Sequence, residues 1–540
     1  MTGEQIVARY DELKSERGVF ESHWQECTDY ALPRKSNITR SVVPGEKKGQ
    51  TVLDSTAIQA NELLAGALHG MLTNPTTLWF ELTTGDQALD AIQEVKDWLQ
   101  KTSNSIHAGL NDSNFQTEIH EVYIDEGTIG TSAMFIADDE DTLFRFKTYP
   151  VTDVVFDENN KGVVDEVYRL FKWTAKQIVQ QFGKDGIDKE ILDKAKENKP
   201  DKFELIHCVY PRDQMKVDPI KRKGPYGYPF ASKYVLKKTK KILSESGYQE
   251  WPWVTPRWTV TAGEKYGRSP TMKCLADIKM LNAMAKTVIE GAQKAVSPPL
   301  SVPDDSYIGP ITTKPNGLNY RRAGSQDHIE PFGNDCRIDY GQAIMNDARM
   351  RIKEAFYIDQ LQLNQGPQMT ATEVMQRTEE KLRLLGPILG RQQSELLRPM
   401  IDRIFGIMAR KGKLPKPIPE QVKGKLISVK YSSLVARAQR VSEGQNIARA
   451  IQAATPFLQI DPAVADNFAG DEGLRYIFDI FGIPAKLMKP EQEVKKIREA
   501  RAQAQQQQMQ MQQQQQQAQA MGQAAPAVQA VAQMQKGGNA

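Results

Sequence analysis

Between Ser269 and Leu361 the sequence places two long helical stretches around a short insert that cannot itself be helical, and few folds accommodate that arrangement. Ser269 offers an N-cap oxygen, and Pro270 suits the first helical position, where no backbone N–H is needed. Leu275, Ile278, Leu281, Met284, Val288, Ile289, Ala292 and Ala295 then recur at helical spacing until Ser297-Pro298-Pro299 stops the run. At 1.5 Å per residue these ~26 residues make a rod of ~40 Å. The insert that follows is rich in Pro and Gly and holds strand-prone pieces near Leu300 and Asn319. A second rod runs from Asp339 to Leu361, with Ile344, Ala348, Ile352, Ala355 and Phe356 on one face. A monomeric globule gains little from a small domain held out on two struts. A ring gains a wall, because one heterologous contact repeated by a closing rotation generates a ring.

The flanks are built differently. On the N-terminal side Ile6, Val7, Tyr10 and Leu13 mark a helix that Gly18 is expected to end. Asp54 and Ser55 open a helix rich in small residues that reaches Asn74-Pro75, and Asp86 to Leu110 reads as a third. From about Ser132 the period becomes strand-like, with segments at Phe144–Phe146, Val151–Val155, Val163–Phe171, Phe203–Tyr210 and Tyr234–Leu243. Thr174 and Gln177 form a capping box that starts a helix through Phe182. On the C-terminal side a Gly-Pro loop precedes a third long helix. Thr370 and Glu373 cap it, a stripe from Val374 to Met408 lines it, and Pro387 and Pro399 are expected to kink it. Leu426–Tyr431 is a β-prone return, Ser442–Phe481 is helical with breaks, and a glutamine-rich tail follows Pro490. The fold class read from this order is α+β, mostly helical, with an antiparallel sheet after the first helices.

Chemistry is sparse by comparison. The chain has 540 residues, enough for two to four domains, and 70 basic against 67 acidic residues leave a net charge of only +3. A protein that grips nucleic acid tightly usually carries a basic excess, because neutralised phosphates release counterions. Cys27, Cys208, Cys274 and Cys336 stand far apart, which argues against a zinc site or a disulfide framework and suits the cytoplasm. The charged first residues are not those of a signal peptide, and no stretch has the ~20 apolar residues that span a bilayer. None of the Gly-Lys pairs is followed by Ser or Thr, so there is no phosphate-cradling loop, and the six histidines show no metal-binding spacing. Asp138-Asp139-Glu140-Asp141 reads as a solvated hairpin turn, and the segment Trp251–Trp258 as packing or an intersubunit contact. No catalytic residue, metal ligand or cofactor is expected. The basic groups Arg349, Arg351 and Lys353, and the pair Arg321 and Arg322, fit either a polyanion or an ordinary solvated face.

Several segments taken in order resemble the head-to-tail connector (portal) family of short-tailed phages. They are Asp54–Ala57 with Leu78–Leu82; Pro256-Arg257-Trp258 with Gly263–Pro270 and Asp277–Asn282; Met369–Val374 with Gly386-Pro387, Gly390-Arg391 and Glu395–Pro399; and Tyr431–Leu434 with Ala436-Arg437-Ala438. The resemblance implies a portal fold: a wing over 1–270, stem helices at 271–296 and 339–361, and a clip at 297–338. A tunnel loop then covers 362–370, a long kinked helix and return strand 371–440, and a helical crown 441–489. The tail, 490–540, forms either a helical barrel or a disordered end. It implies a homododecameric ring without enzymatic activity at one vertex of the virion, assembled in the host cytoplasm. Its partners would be double-stranded viral DNA, held loosely, then terminase, a tail adaptor, and scaffolding and major capsid proteins, with no membrane. Tunnel-loop residues Asn364, Gln365, Gly366, Pro367, Gln368 and Met369 are expected to face DNA. Arg349, Arg351 and Lys353 are a weaker candidate channel lining, and Arg321 and Arg322 a candidate adaptor contact.

Overall fold

The computed structural model describes residues 1–41, 45–90, 92–197, 200–212, 227–304, 307–314, 318–324, 338–361, 386–422, 427–431, 470–480 and 493–512, with the single positions 43, 326, 329–331, 447, 449, 450, 452 and 453. The chain divides into two compact units. The first comprises 1–83, 100–417 and 427–438, and the second 84–99, 418–426 and 439–540. Residues 84–99, assigned to the wing from sequence, therefore cluster with the C-terminal part of the chain.

In the first unit, α1 (Gly3–Ala31) begins with a capping box between Thr2 and Gln5. It runs straight through Gly18, contrary to the expected stop. Gly18 lies on the solvent side, and the ~1 kcal/mol cost of a helical glycine is outweighed by burying Trp24, Cys27 and Thr28 beyond it. Helix α2 (Thr56–Leu72) and β1 (Phe80–Thr83) follow; α3 (Gln87–Asp90) and the first residues of α4 (Gln93–Asp112) belong to the second unit, and the rest of α4 and α5 (Phe115–Thr128) to the first. The single helix expected over 86–110 is thus two. Asp86 and Asp90 turn their carboxylates onto nearby backbone N–H groups, at Ala88 and Thr84 respectively, and close a separate short turn.

Strands β2 (Ala133–Asp138) and β3 (Phe144–Tyr149) form a hairpin, joined on the β2 side by β9 (Trp253–Val254). The five-stranded antiparallel sheet is β4 (Val154–Glu158), β5 (Val164–Thr174), β6 (Lys202–Pro211), β7 (Phe230–Leu236) and β8 (Lys241–Tyr248), in sequence order. The region 234–243, read as one strand, is therefore the tip of the β7–β8 hairpin. It reverses through Lys240, whose φ is 56°. Period-2 alternation places Ile206, Cys208 and Tyr210 against Ile6, Val7, Tyr10 and Leu13 of α1. Leu205 points the other way, to α6 (Ala175–Phe182) and α7 (Lys189–Lys196), which add Ile178 and Ile191. The Thr174–Gln177 capping box is formed as read.

The outer edge of β3 is closed by side chains of α5 and its cap: Asn114 both donates to and accepts from the Phe146 backbone, at 2.8 and 3.0 Å, and Glu118 accepts from Thr148 N. At the β7–β8 turn, each lysine has an acidic partner from another element. Lys237 pairs with Asp11, Lys238 with Glu190, Lys240 with Glu4 and Lys241 with Asp188, at 3.5, 3.7, 3.8 and 2.9 Å.

The two rods are α8 (Pro270–Val296) and α9 (Ile338–Ala355), and they pack antiparallel. Gly341 abuts Val288, while Arg351, further along α9, reaches back to Asp277. The second rod stops short of its expected end. Phe356 and Ile358 are both buried, and Tyr357 between them takes φ 59°, so the chain breaks before a last turn, α10 (Ile358–Leu361). The insert pairs β10 (Leu300–Ser301) with β11 (Glu330–Pro331) and bridges Tyr307 to Arg321. It leaves Ile308, Leu318 and Tyr320 62%, 77% and 68% exposed. Residues 386–392 are helical, Gln393–Leu397 form a π turn, and α11 (Arg398–Arg410) continues. The kink expected at Pro399 takes this form. A regular α-helix would need the Pro399 nitrogen to donate to the Glu395 carbonyl, which proline cannot do. β12 (Ser428–Tyr431) then returns to pair with β1. In the second unit α12 (Gly470–Ile480) and the helix at 493–512 are described, with Arg498 held by Asp471 at 2.7 Å.

Candidate functional site

The motif segments scattered along the sequence meet at three buried junctions in the first unit. In the first, Asp54, just ahead of α2, accepts from Thr56 N at 2.9 Å, and its other oxygen accepts from both Nε and a terminal nitrogen of Arg349 on α9. Asn282 on α8 accepts from the backbone of Leu53 and Asp54 at 2.8 and 3.3 Å. One short segment before α2 is thereby tied to both rods. Burial works against ionisation of Asp54, yet Thr56 and Arg349 together hold its carboxyl below the usual range.

The second junction joins the end of α5 to the start of α8. Ser269 Oγ accepts from Met272 N and donates to the Thr128 carbonyl at 2.8 Å, and Thr271 donates to the Gly127 carbonyl at 2.7 Å. Gly130, with φ +86°, lies directly against the 267–269 backbone, and a Cβ on Gly267 would stand 2.1 Å from the Gly130 carbonyl oxygen.

The third is an ion network around Arg257, which is only 2% exposed. All five guanidinium N–H groups are used. They go to both carboxylate oxygens of Glu395, to Glu158 at 2.7 Å, and to the carbonyls of Lys265 and Gly162. Arg391 adds a second cation to Glu395 at 2.7 Å. Burial alone would weaken the charge on Arg257, but Glu395 and Glu158 outweigh it, so the guanidinium is held more firmly protonated than usual. The π turn presents Glu395 to this network. Nearby, Arg403 is 1% exposed and binds Asp138 and Glu250 at 2.7 and 2.9 Å. The acidic turn after β2 is therefore not simply solvated: Asp138 anchors α11, while Asp139 closes the turn onto Thr142.

The residues singled out from sequence as ligand-facing do not form one patch. Arg349 turns inward to Asp54, Arg351 pairs with Asp277 and Asp347, and Lys353 is exposed on α9. Arg321 and Arg322 are both exposed in the insert, each with interactions of its own. Asn364, Gln365, Gly366, Pro367, Gln368 and Met369 lie outside the described residues. Among the described residues no group of three or more His, Cys, Asp and Glu side chains could hold a metal ion, and no helix is long and apolar enough to cross a membrane.

Each junction draws on the segments that carry the resemblance: Asp54 and Asn282 in the first, Gly267 and Ser269 in the second, Arg257 and Glu395 in the third. The model of bacteriophage head to tail connecting proteins matches residues 3–488. The chain belongs to that family. A probable portal protein of Bordetella phage BPP-1 is 32% identical over 511 residues, covering 92% of this chain and 90% of the relative. A portal protein of Salmonella phage epsilon15 is 30% identical, covering 92% and 91%. Among solved structures, the neck of an empty gene transfer agent particle covers 74% of this chain and 86% of its own at 11% identity, with a TM-score of 0.37. In this connector, Asp54, Arg257, Asn282 and Glu395 stand in the segments that carried the resemblance, and each serves a joint between elements. Glu126 on α5 and Gln392, a further buried pair joined by a side-chain hydrogen bond, had no signal beyond a carboxylate on a helix and one glutamine among several.

Proposed function

We propose that the chain is the subunit of a dodecameric portal ring at one capsid vertex, which conducts double-stranded DNA during packaging and ejection. It docks the terminase motor and later the tail adaptor, contacts scaffolding and major capsid proteins, and nucleates head assembly. The observation that carries this reading is the family match over residues 3–488, in a chain whose two antiparallel rods bracket a small insert. The insert's exposed Ile308, Leu318 and Tyr320 support it further, since apolar side chains on so small a domain call for a covering surface such as a neighbouring subunit. α8 and α9 are the stem, the insert the clip, the sheet and N-terminal helices the wing, and 441–489 the crown. Residues 364–369 serve as the tunnel loop facing DNA, with Arg349, Arg351 and Lys353 as a weaker candidate lining. A net charge of only +3 suits loose contact, because each phosphate neutralised adds ~0.9 to the logarithmic salt slope of binding and would impede sliding.

Negative-stain electron microscopy of the purified chain tests the proposal. The expected particles are rings of about twelve subunits with a central hole. Compact monomers or dimers at high concentration, persisting when scaffolding protein is added, would overturn it.

A further inference from the structure

Glu126 on α5 and Gln392 at the entrance to the π turn are both completely buried, and they touch: Gln392 Nε2 donates to Glu126 Oε2. Each side chain has one further oxygen, Glu126 Oε1 and Gln392 Oε1, and neither has a hydrogen-bond partner. Two orphaned acceptors on one directly bonded, buried pair are costly if the carboxyl is ionised, and satisfied if it carries a proton shared between them. The charged groups acting on Glu126 are Glu395 from the π turn and Asp125 from α5 itself, both acidic. Glu395 is occupied by Arg257 and Arg391, and Asp125 by Lys35. From α5 the phenol of Tyr123 also feels Glu126, and α2 brings no charge to this end of α5 but the neutral amide of Asn61, bound to Thr128 and the Ile124 carbonyl.

We propose that Glu126 is a neutral acid in the folded chain and that its proton latches the π turn to α5. The acid O–H donates to Gln392 Oε1 while the amide N–H donates back to the carboxyl, giving a reciprocal two-bond pair. Losing the proton to solvent leaves a buried carboxylate facing Glu395 and an amide oxygen, and the joint loosens. Burial pushes the Glu126 carboxyl well above its usual range, only partly offset by Gln392, which agrees with this geometry. A folded-state carboxyl raised above its unfolded value stabilises fully below the usual carboxylate range, and that stability is lost as pH rises toward the raised value.

The test uses the full chain. Difference infrared spectra of the natural chain minus Glu126→Gln at about pH 7 should show a protonated-carboxyl carbonyl band, and urea midpoints should be compared across pH. Glu126→Gln keeps the reciprocal pair with an amide. It should match the natural chain near pH 4 and exceed it at about pH 8, with the folded-to-unfolded ratio rising about tenfold for each unit of raised titration. Absence of the band, or parallel pH profiles for the two proteins, would overturn the latch. Should Glu126→Gln fail to fold, the band is read in the natural chain alone, by its loss on raising pH. A band that is missing there also overturns the proposal.

Discussion

A guanidinium buried with all five donors used is an all-or-nothing arrangement. The pairing of Arg257 with Glu395 contributes little beyond a well-packed apolar substitute would, but removing one partner leaves the other charge stranded in a dry site. Glu395→Gln should therefore cost about 3 kcal/mol in denaturant unfolding. Arg257→Lys, conservative on paper, should cost a comparable amount because an ammonium cannot span five acceptors. A second residue reports on acid. His207 is buried on β6, stacked on Tyr234 with ring centroids 4.2 Å apart and bonded to Ser232. Burial, helped by Arg169, drives its titration down to about 3. Unfolded chains take up a proton near pH 6.5 that the folded chain refuses, so stability falls as pH drops below that value, by up to about 1.4 kcal/mol per unit. His207→Gln should flatten the decline between about pH 6 and 4, measured by urea midpoint. An unchanged slope would locate the acid sensitivity elsewhere.

Elements are joined here by backbone proximity as much as by side chains. Gly130 and Gly267 meet where α5 ends and α8 begins, and Gly267→Ala should cost more than the ~1–3 kcal/mol of ordinary backbone strain, because its Cβ collides with a carbonyl that cannot yield. Soluble expression and thermal melting would show it. Sequence periodicity located most of these elements: the α1 stripe, the Ser269-Pro270 start of α8, the Thr174 capping box and the β12 return were all legible. What escaped was decided by long-range packing. Gly18 stays helical because residues beyond it have a core to enter, and α9 breaks at Tyr357 because both neighbours do. The junctions were half legible. Arg257, Glu395, Asp54 and Asn282 lay in recognisable segments, but nothing local says that Arg257 and Glu395, so distant in the chain, share a hydrogen-bond network. The π turn depends on Pro399 and on that same network, and so was visible only as an expected kink.

For the whole molecule, the portal reading separates assembly from conduction. Deleting 364–368 should leave ring formation intact while lowering DNA packaging or retention in reconstituted particles; loss of rings would count against the channel assignment. Reversing the charge of Arg321 and Arg322 should abolish adaptor capture by assembled rings and leave their subunit number unchanged, as read by electron microscopy and co-sedimentation. The lysine turn between β7 and β8 bears on how such a ring would live among nucleic acid it must not hold. Four cations in five residues look like a polyanion site, yet each already leans on one of the protein's own carboxylates. A phosphate backbone arriving there finds few mobile counterions to liberate, and that liberation is what drives indiscriminate adsorption. The turn is a zwitterionic surface in basic disguise, with little unpaired charge to draw a polyanion.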